Sequence, residues 1–201
     1  MDTIRTFIAI EISQEVRVEV VKHINHLRRE APNVRASWSR EDNLHLTLKF
    51  LGNAPVSQIS TVSQAAAAAA AATEPFELTV GGCGWFPPHG KPKVMWIGIE
   101  DPDARLRQLH DALQERCAEA GFDRDGRPFH PHLTIARLRS PAGSRHLAET
   151  HKAHGFPAQR LRVSELVVFR SELLREGSKH TAISRHKLGG GENDQIRQRK
   201  G

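Results

Sequence analysis

"NLHLTLKF" at Asn43–Phe50 and "PHLTIARL" at Pro131–Leu138 place the same four-residue pattern, His-x-Thr-x, in two parts of one chain. The patterns begin at His45 and His132, 87 positions apart in a chain of 201 residues. Each alternates polar and apolar residues as a strand with one covered face does. Residues two apart in a strand share a side. The first pattern therefore predicts His45, Thr47 and Lys49 on one face and Leu46, Leu48 and Phe50 on the other. The second predicts His130, His132, Thr134 and Ala136 together, with Leu133, Ile135 and Arg137 opposite. Each strand thus presents an imidazole beside a hydroxyl on an open face, anchored by an apolar back.

Two such strands facing a shared cleft would bring together two imidazoles and two hydroxyls. In-line displacement at phosphorus needs a base on the side of the attacking oxygen and an acid on the side of the leaving oxygen. Histidine, with an unperturbed pKa of about 6.5, supplies either form near neutrality. Threonine hydroxyls can donate to the non-bridging phosphate oxygens, where charge accumulates. This chemistry requires no metal ion, and the sequence carries no spaced metal-ligand motif, so no cofactor is expected.

Outward from the two motifs, the pattern predicts a strand at Thr3–Ile12, half-buried, then a helix capped by Ser13 with an apolar stripe of Val16, Val20, Val21, Ile24 and Leu27. Ala36–Trp38 and Leu44–Phe50 read as strands split by the polar "SREDN". A helix capped near Ser57 carries the alanine run Ala65–Ala72, a packing face rather than a chemical one. Phe76–Phe86 and Lys93–Ile99 read as a hairpin across "PPHGKP". A helix from Asp101 or Asp103 ends at Gly121. Strand His132–Leu138, helix Ser144–His154, strand Leu161–Arg170 and a last strand near Thr181–Leu188 complete the order. Antiparallel connections with about four helices predict an α+β fold, and the two motif strands suggest a diverged internal duplication. Residues 1–188 read as the folded domain and 189–201 as a disordered polar tail.

Composition narrows the function classes. No apolar run reaches the roughly eighteen residues of a membrane helix, so no membrane partner is expected. Two cysteines without paired spacing suit a reducing cytoplasm. The net charge is +6, of which the tail (three bases, two acids) contributes only +1. The charge suits an anionic partner, with nucleic acid the leading candidate.

The motif pair and its flanks resemble the two-histidine (2H) phosphoesterases. They are similar, more closely, to the RNA 2′,3′-cyclic phosphodiesterases, also called 2′-5′ RNA ligases. "TFIAIEIS", "WSREDNLHLTLKFLG", "GCGWFPPHGKPKVMWIGIE", "RPFHPHLTIARL" and "LVVFRSEL" carry the resemblance in order, over about residues 4–188. It implies two pseudo-symmetric lobes, each an antiparallel sheet with outer helices, around a central cleft. It also implies hydrolysis of a terminal 2′,3′-cyclic phosphate on RNA, tRNA fragments among the candidates, to a 2′-phosphate and a free 3′-hydroxyl. By the same resemblance His132 is the base, His45 the acid, and Thr47 and Thr134 hold the phosphate; the reverse direction is 2′-5′ ligation. Arg137 resembles a recurrent family arginine, although its strand parity points away from His132. Phe169 stands where tyrosine is frequent, and His180 and His186 where aromatic residues are frequent, which bears on substrate preference.

Further candidates are Lys49 on the motif face, Arg170 toward substrate or paired with Glu172, and Phe7, Trp38, Phe86 and Phe129 as stacking surfaces. His89, Lys91 and Lys93 form a basic loop, and His130 has the parity of the cleft. The expectation is a cytoplasmic monomer acting on RNA. Rival readings are a 2H enzyme for a small cyclic nucleotide and an RNA-binding module without catalysis.

Overall fold

The computed structural model describes residues 2–174 and 177–189. The polar tail expected over residues 189–201 lies, apart from Gly189, outside the described residues. The chain opens with strand β1 (Thr3–Glu11) and helix α1 (Gln14–Glu30), whose N-terminus is capped by Ser13 Oγ accepting from the Val16 N–H. Val16, Val20, Ile24 and Leu27 recur along one face of α1 and are all buried. Strand β2 (Ala36–Trp38) and a single 3₁₀ turn at Glu41–Asn43 lead into β3 (His45–Pro55). Helix α2 (Ile59–Ala71) buries Val62, Ala65, Ala66, Ala69 and Ala70. Its small side chains let it pack closely on α3 and on the last two strands.

Strands β4 (Phe76–Phe86) and β5 (Val94–Glu100) form the expected hairpin. Then follow α3 (Arg105–Glu119), β6 (His132–Leu138), α4 (Ser144–His154), β7 (Gln159–Val163), β8 (Glu165–Leu174) and β9 (Gly177–Lys187). The run expected as one strand at Leu161–Arg170 is two. It breaks at Ser164, where β7 ends on the edge beside β4 and β8 begins beside β1. Periodicity could not show this, because the apolar residues continue on both sides of the break.

All strands pair antiparallel in the order β7-β4-β5-β6-β3-β1-β8-β9, with β2 added to β6. This curled sheet divides into two four-strand halves that mirror each other about the β6–β3 seam, giving the expected α+β architecture of two similar lobes. Across the seam a single register pair is formed, Leu46 with Leu133. The two strands otherwise splay, and that splaying opens the cleft. The helices cover the back of the sheet over one continuous core that includes Ile8, Leu46, Leu48, Ile97, Leu133 and Ile135. On the other side of β1 a small second cluster of Phe7, Ala9, Val167 and Phe169 closes over the strand. Strand β1 is therefore covered on both faces in its central part, not half-buried as its alternation predicted.

Candidate active site

The seam fixes the site. The single pair Leu46–Leu133 puts His45 and Thr47 on β3 directly beside Thr134 and His132 on β6 in sequence register, where the two strands splay apart. All four residues line one cleft of about 950 Å³, together with Arg5, Phe7, Trp38, Phe50, Arg137 and His180. Arg40 and Arg139 also line this cleft, and among the described residues no Asp or Glu does, so its described lining is positively charged.

Each imidazole is held the same way. His45 Nδ1 lies 2.7 Å from the Asn43 carbonyl oxygen, and His132 Nδ1 lies 2.7 Å from that of His130. A carbonyl only accepts, so each Nδ1 carries a proton and donates it. Nε2 is then the ring nitrogen available to the cleft, with its lone pair in the neutral form. Phe7 packs on His45 at 4.7 Å between ring centres, and Phe86 meets His132 edge-on at 5.2 Å. Burial holds the His45 pKa down to about 4, helped by neighbouring His180 and by the charges of His132 and Arg137, against the Asn43 carbonyl. His132 is also lowered, chiefly by burial and then by His130 and Arg137, against its own carbonyl partner. Both rings are thus pushed toward the neutral form. A bound phosphodiester anion acts in the opposite direction and favours a protonated ring.

Both motifs end in a β-bulge, and the bulges correct two sequence-based expectations. Along β3, Thr47 pairs with Ala9 and Lys49 with Ile8, so Leu48 is supernumerary. Along β6, Thr134 pairs with Trp96 and Ala136 with Met95, so Ile135 is supernumerary. In each case the fourth residue of His-x-Thr-x is the extra one. An extra residue reverses the facing of everything after it. Arg137 therefore lines the cleft with His132, against the parity expectation, and Ala136 turns to the core. Phe50 likewise turns out of the expected core to the cleft wall, 57% exposed.

Lys49 leaves the motif face altogether and is 1% exposed, where a place on the open face was expected. Its ammonium donates to Gln114 Oε1 and the Asp123 carbonyl, both at 2.7 Å, with Asp125 at 3.6 Å. It ties β3 to α3 and to the loop before β6. The second bulge is braced by Ser39, whose hydroxyl donates to the Thr134 carbonyl at 2.6 Å and whose N–H donates to that of Ile135 at 2.8 Å.

Phe7 and Trp38 are cleft residues, whereas Phe86 only backs His132. Phe129 is not at the cleft: it stacks on His110 at 3.9 Å. His130 is exposed and packs against Phe86 and Trp96, outside the cleft lining. His89, Lys91 and Lys93 lie on the exposed β4–β5 loop away from the cleft. Arg170 pairs with Glu172 at 2.9 Å. His180, noted in sequence only as a departure, stands edge-on to His45 at 5.3 Å. Arg5, Asn43 and Ser178 were missed altogether. Asn43 donates to the Ser178 carbonyl at 2.6 Å and so ties the approach to His45 to the start of β9. Nothing in their local sequence marks these three, because only the β1–β3 and β8–β9 pairings bring them to the cleft.

Residues 16–174 match the family model of the 2′-5′ RNA ligase superfamily. Over 135 residues the chain is 35% identical to an RNA 2′,3′-cyclic phosphodiesterase of Thermotoga maritima, covering 67% of this chain and 70% of that protein. Over 186 residues it is 31% identical to the Escherichia coli RNA 2′,3′-cyclic phosphodiesterase, covering 92% and 96%. The crystal structure of TT0787 of Thermus thermophilus superposes with a TM-score of 0.77 at 26% identity, covering 93% of this chain and 99% of that one. Escherichia coli LigT complexed with 3′-AMP gives 0.71 at 28% identity, covering 93% and 99%. With the family model spanning most of its length, the chain belongs to the 2′-5′ RNA ligase superfamily.

Proposed function

We propose that the protein hydrolyses RNA ends carrying a 2′,3′-cyclic phosphate, leaving a 2′-phosphate and a free 3′-hydroxyl. In this reading Thr47, Thr134 and Arg137 hold the non-bridging phosphate oxygens. Water attacks phosphorus on the His132 side and gives a proton to His132 Nε2. The bond from phosphorus to the 3′-oxygen breaks, and that oxygen takes a proton from His45 Nε2. His45 enters the step as an imidazolium, its Nδ1–H still held by the Asn43 carbonyl, with the bound anion offsetting the burial that lowers its pKa. The same groups run backward for weak 2′-5′ ligation, with acid and base exchanged. The reading includes a cytoplasmic monomer, with RNA ends such as tRNA fragments as substrates.

One observation carries this proposal. Two imidazoles with their Nδ1 atoms pinned to main-chain carbonyls open onto the same arginine-lined cleft. Relatives at 31–35% identity are named RNA 2′,3′-cyclic phosphodiesterases, which supports the substrate class. The test is to incubate the protein with an oligonucleotide ending in a 2′,3′-cyclic phosphate and to determine which hydroxyl keeps the phosphate. A 2′-phosphate product is expected, and a 3′-phosphate contradicts the assigned leaving group. Faster turnover of a cyclic mononucleotide than of the oligonucleotide moves the substrate class to small nucleotides. RNA binding without any turnover makes the protein a binding module.

A further inference from the structure

A second group of chemically capable side chains lies apart from the cleft. His23, on the buried face of α1, is 3% exposed, and His151 on α4 is 0% exposed. Half-buried Cys83 joins them from β4. Sequence spacing gives no hint of this group, because its members come from three separate elements. Strand β4 carries its own bulge: Gly81 pairs with Gly98 and Cys83 with Ile97, leaving Gly82 over at φ +72°. A glycine takes that left-handed conformation without strain. The extra residue puts Cys83 on the face of buried Ile97, toward the helices.

The hydrogen bonding within this group is incomplete. His151 Nε2 lies 3.0 Å from the Trp96 carbonyl oxygen, so Nε2 holds the proton and Nδ1 the lone pair. His23 Nε2, 2.8 Å from His151 Nδ1, must then be the donor between them. That leaves His23 Nδ1 as a lone pair in the interior, and it is buried without a partner. A main-chain carbonyl that fixes the proton on one ring nitrogen and leaves a lone pair on the other is how metal-binding histidines are oriented.

From this arrangement we infer that His23, Cys83 and His151 bind one zinc ion, with water or the neighbouring His154 completing the tetrahedron. Ligand atoms of the three residues already lie within 4.8 Å of one another. Tetrahedral zinc with these donors sets them about 3.3–3.6 Å apart. With His23 Nδ1 and His151 Nδ1 as the ligand atoms, the 2.8 Å hydrogen bond from His23 Nε2 to His151 Nδ1 breaks and the side chains rotate to that spacing. One thiolate and two imidazoles select zinc over magnesium or calcium. Exposed His154 lies 5.3 Å from His23 between ring centres and stacks on His26 at 3.8 Å, giving the ion a route in from the surface. Binding releases one proton, that of the Cys83 thiol, and each imidazole keeps one N–H. The ion joins α1 and α4 to β4 at a place separate from the cleft.

The test uses the full chain, stripped with chelator, dialysed and titrated with Co²⁺ as a spectroscopic substitute. One equivalent is expected to produce the visible absorption of a tetrahedral site and a thiolate-to-cobalt charge-transfer band, both displaced by Zn²⁺. Zinc at 100-fold its dissociation constant shifts the folding equilibrium roughly 100-fold toward the native state, read as a raised thermal midpoint. Cys83→Ser is expected to abolish the charge-transfer band and the raised midpoint, while the His45→Ala/His132→Ala double variant keeps both. Absence of the band in wild type, its persistence in Cys83→Ser, or its loss in the cleft variant overturns the inference. Should Cys83→Ser fail to fold, X-ray absorption on the zinc-loaded wild type decides: one sulfur with two or three nitrogens is expected, and a sulfur-free shell refutes the site.

Discussion

Replacing Arg137 probes the consequence of the Ile135 bulge. Without that extra residue the guanidinium would face away from His132; with it, Arg137 lines the cleft and lowers the pKa of both histidines. A hydrogen bond from a charged donor contributes about 1.5–3 kcal/mol, so Arg137→Ala is expected to cost roughly 10- to 100-fold in kcat/KM. The second expected effect has a definite sign. Removing a nearby positive charge makes each imidazolium easier to form, so both limbs of the kcat/KM profile move to higher pH. Arg137→Lys keeps the charge but not the planar fork, and should leave the profile in place while losing part of the rate. The assay is steady-state hydrolysis of a cyclic-phosphate oligonucleotide across pH for the three proteins. An Arg137→Ala enzyme with wild-type kcat/KM and an unmoved profile refutes a phosphate contact from this position.

Other outcomes follow from the same geometry. Both cleft histidines have lowered pKa values in the free protein, His45 to about 4 against an ordinary 6.5. Because the working pair must hold one proton, wild-type kcat/KM should peak below pH 6.5 and fall as pH rises, and a maximum above about pH 7.5 contradicts this. Lys49→Ala removes a buried charged donor to Gln114 and the Asp123 carbonyl, and urea unfolding should show a loss of about 1.5–3 kcal/mol; a change under about 0.5 kcal/mol would argue against the buried network. Phe50, exposed on the cleft wall, offers a face for a nucleobase. Phe50→Ala should raise KM for an oligonucleotide roughly 5- to 100-fold with little change in kcat, and an unchanged KM removes Phe50 from the binding surface.

Much of the fold was legible because alternation and capping are local. Ser13 caps α1 as its position suggested, and β2, β4, β6 and α4 fall on the residues that patterning assigned. The paired His-x-Thr strands foreshadowed a shared cleft, since an imidazole and a hydroxyl two apart must share a side. The facing of residues beyond Thr47 and Thr134 was not legible. A bulge is set by how a strand pairs with its neighbours, and strict alternation along one strand carries no trace of it. That single cause accounts for Lys49, Phe50 and Arg137 alike. The break at Ser164 and the meeting of His23, Cys83 and His151 escaped for a related reason: each depends on which distant strand or helix lies alongside.

The measurement that bears most directly on two-histidine catalysis is kcat/KM for His45→Ala, His132→Ala and the double variant on one cyclic-phosphate oligonucleotide, with folding verified by circular dichroism. If both rings serve the same proton-coupled step, each single variant loses roughly 10²- to 10⁴-fold and the double variant loses little more than the worse single one. Folded single variants that both stay within about tenfold of wild type, the size of a lost surface contact rather than of a lost acid or base, contradict it.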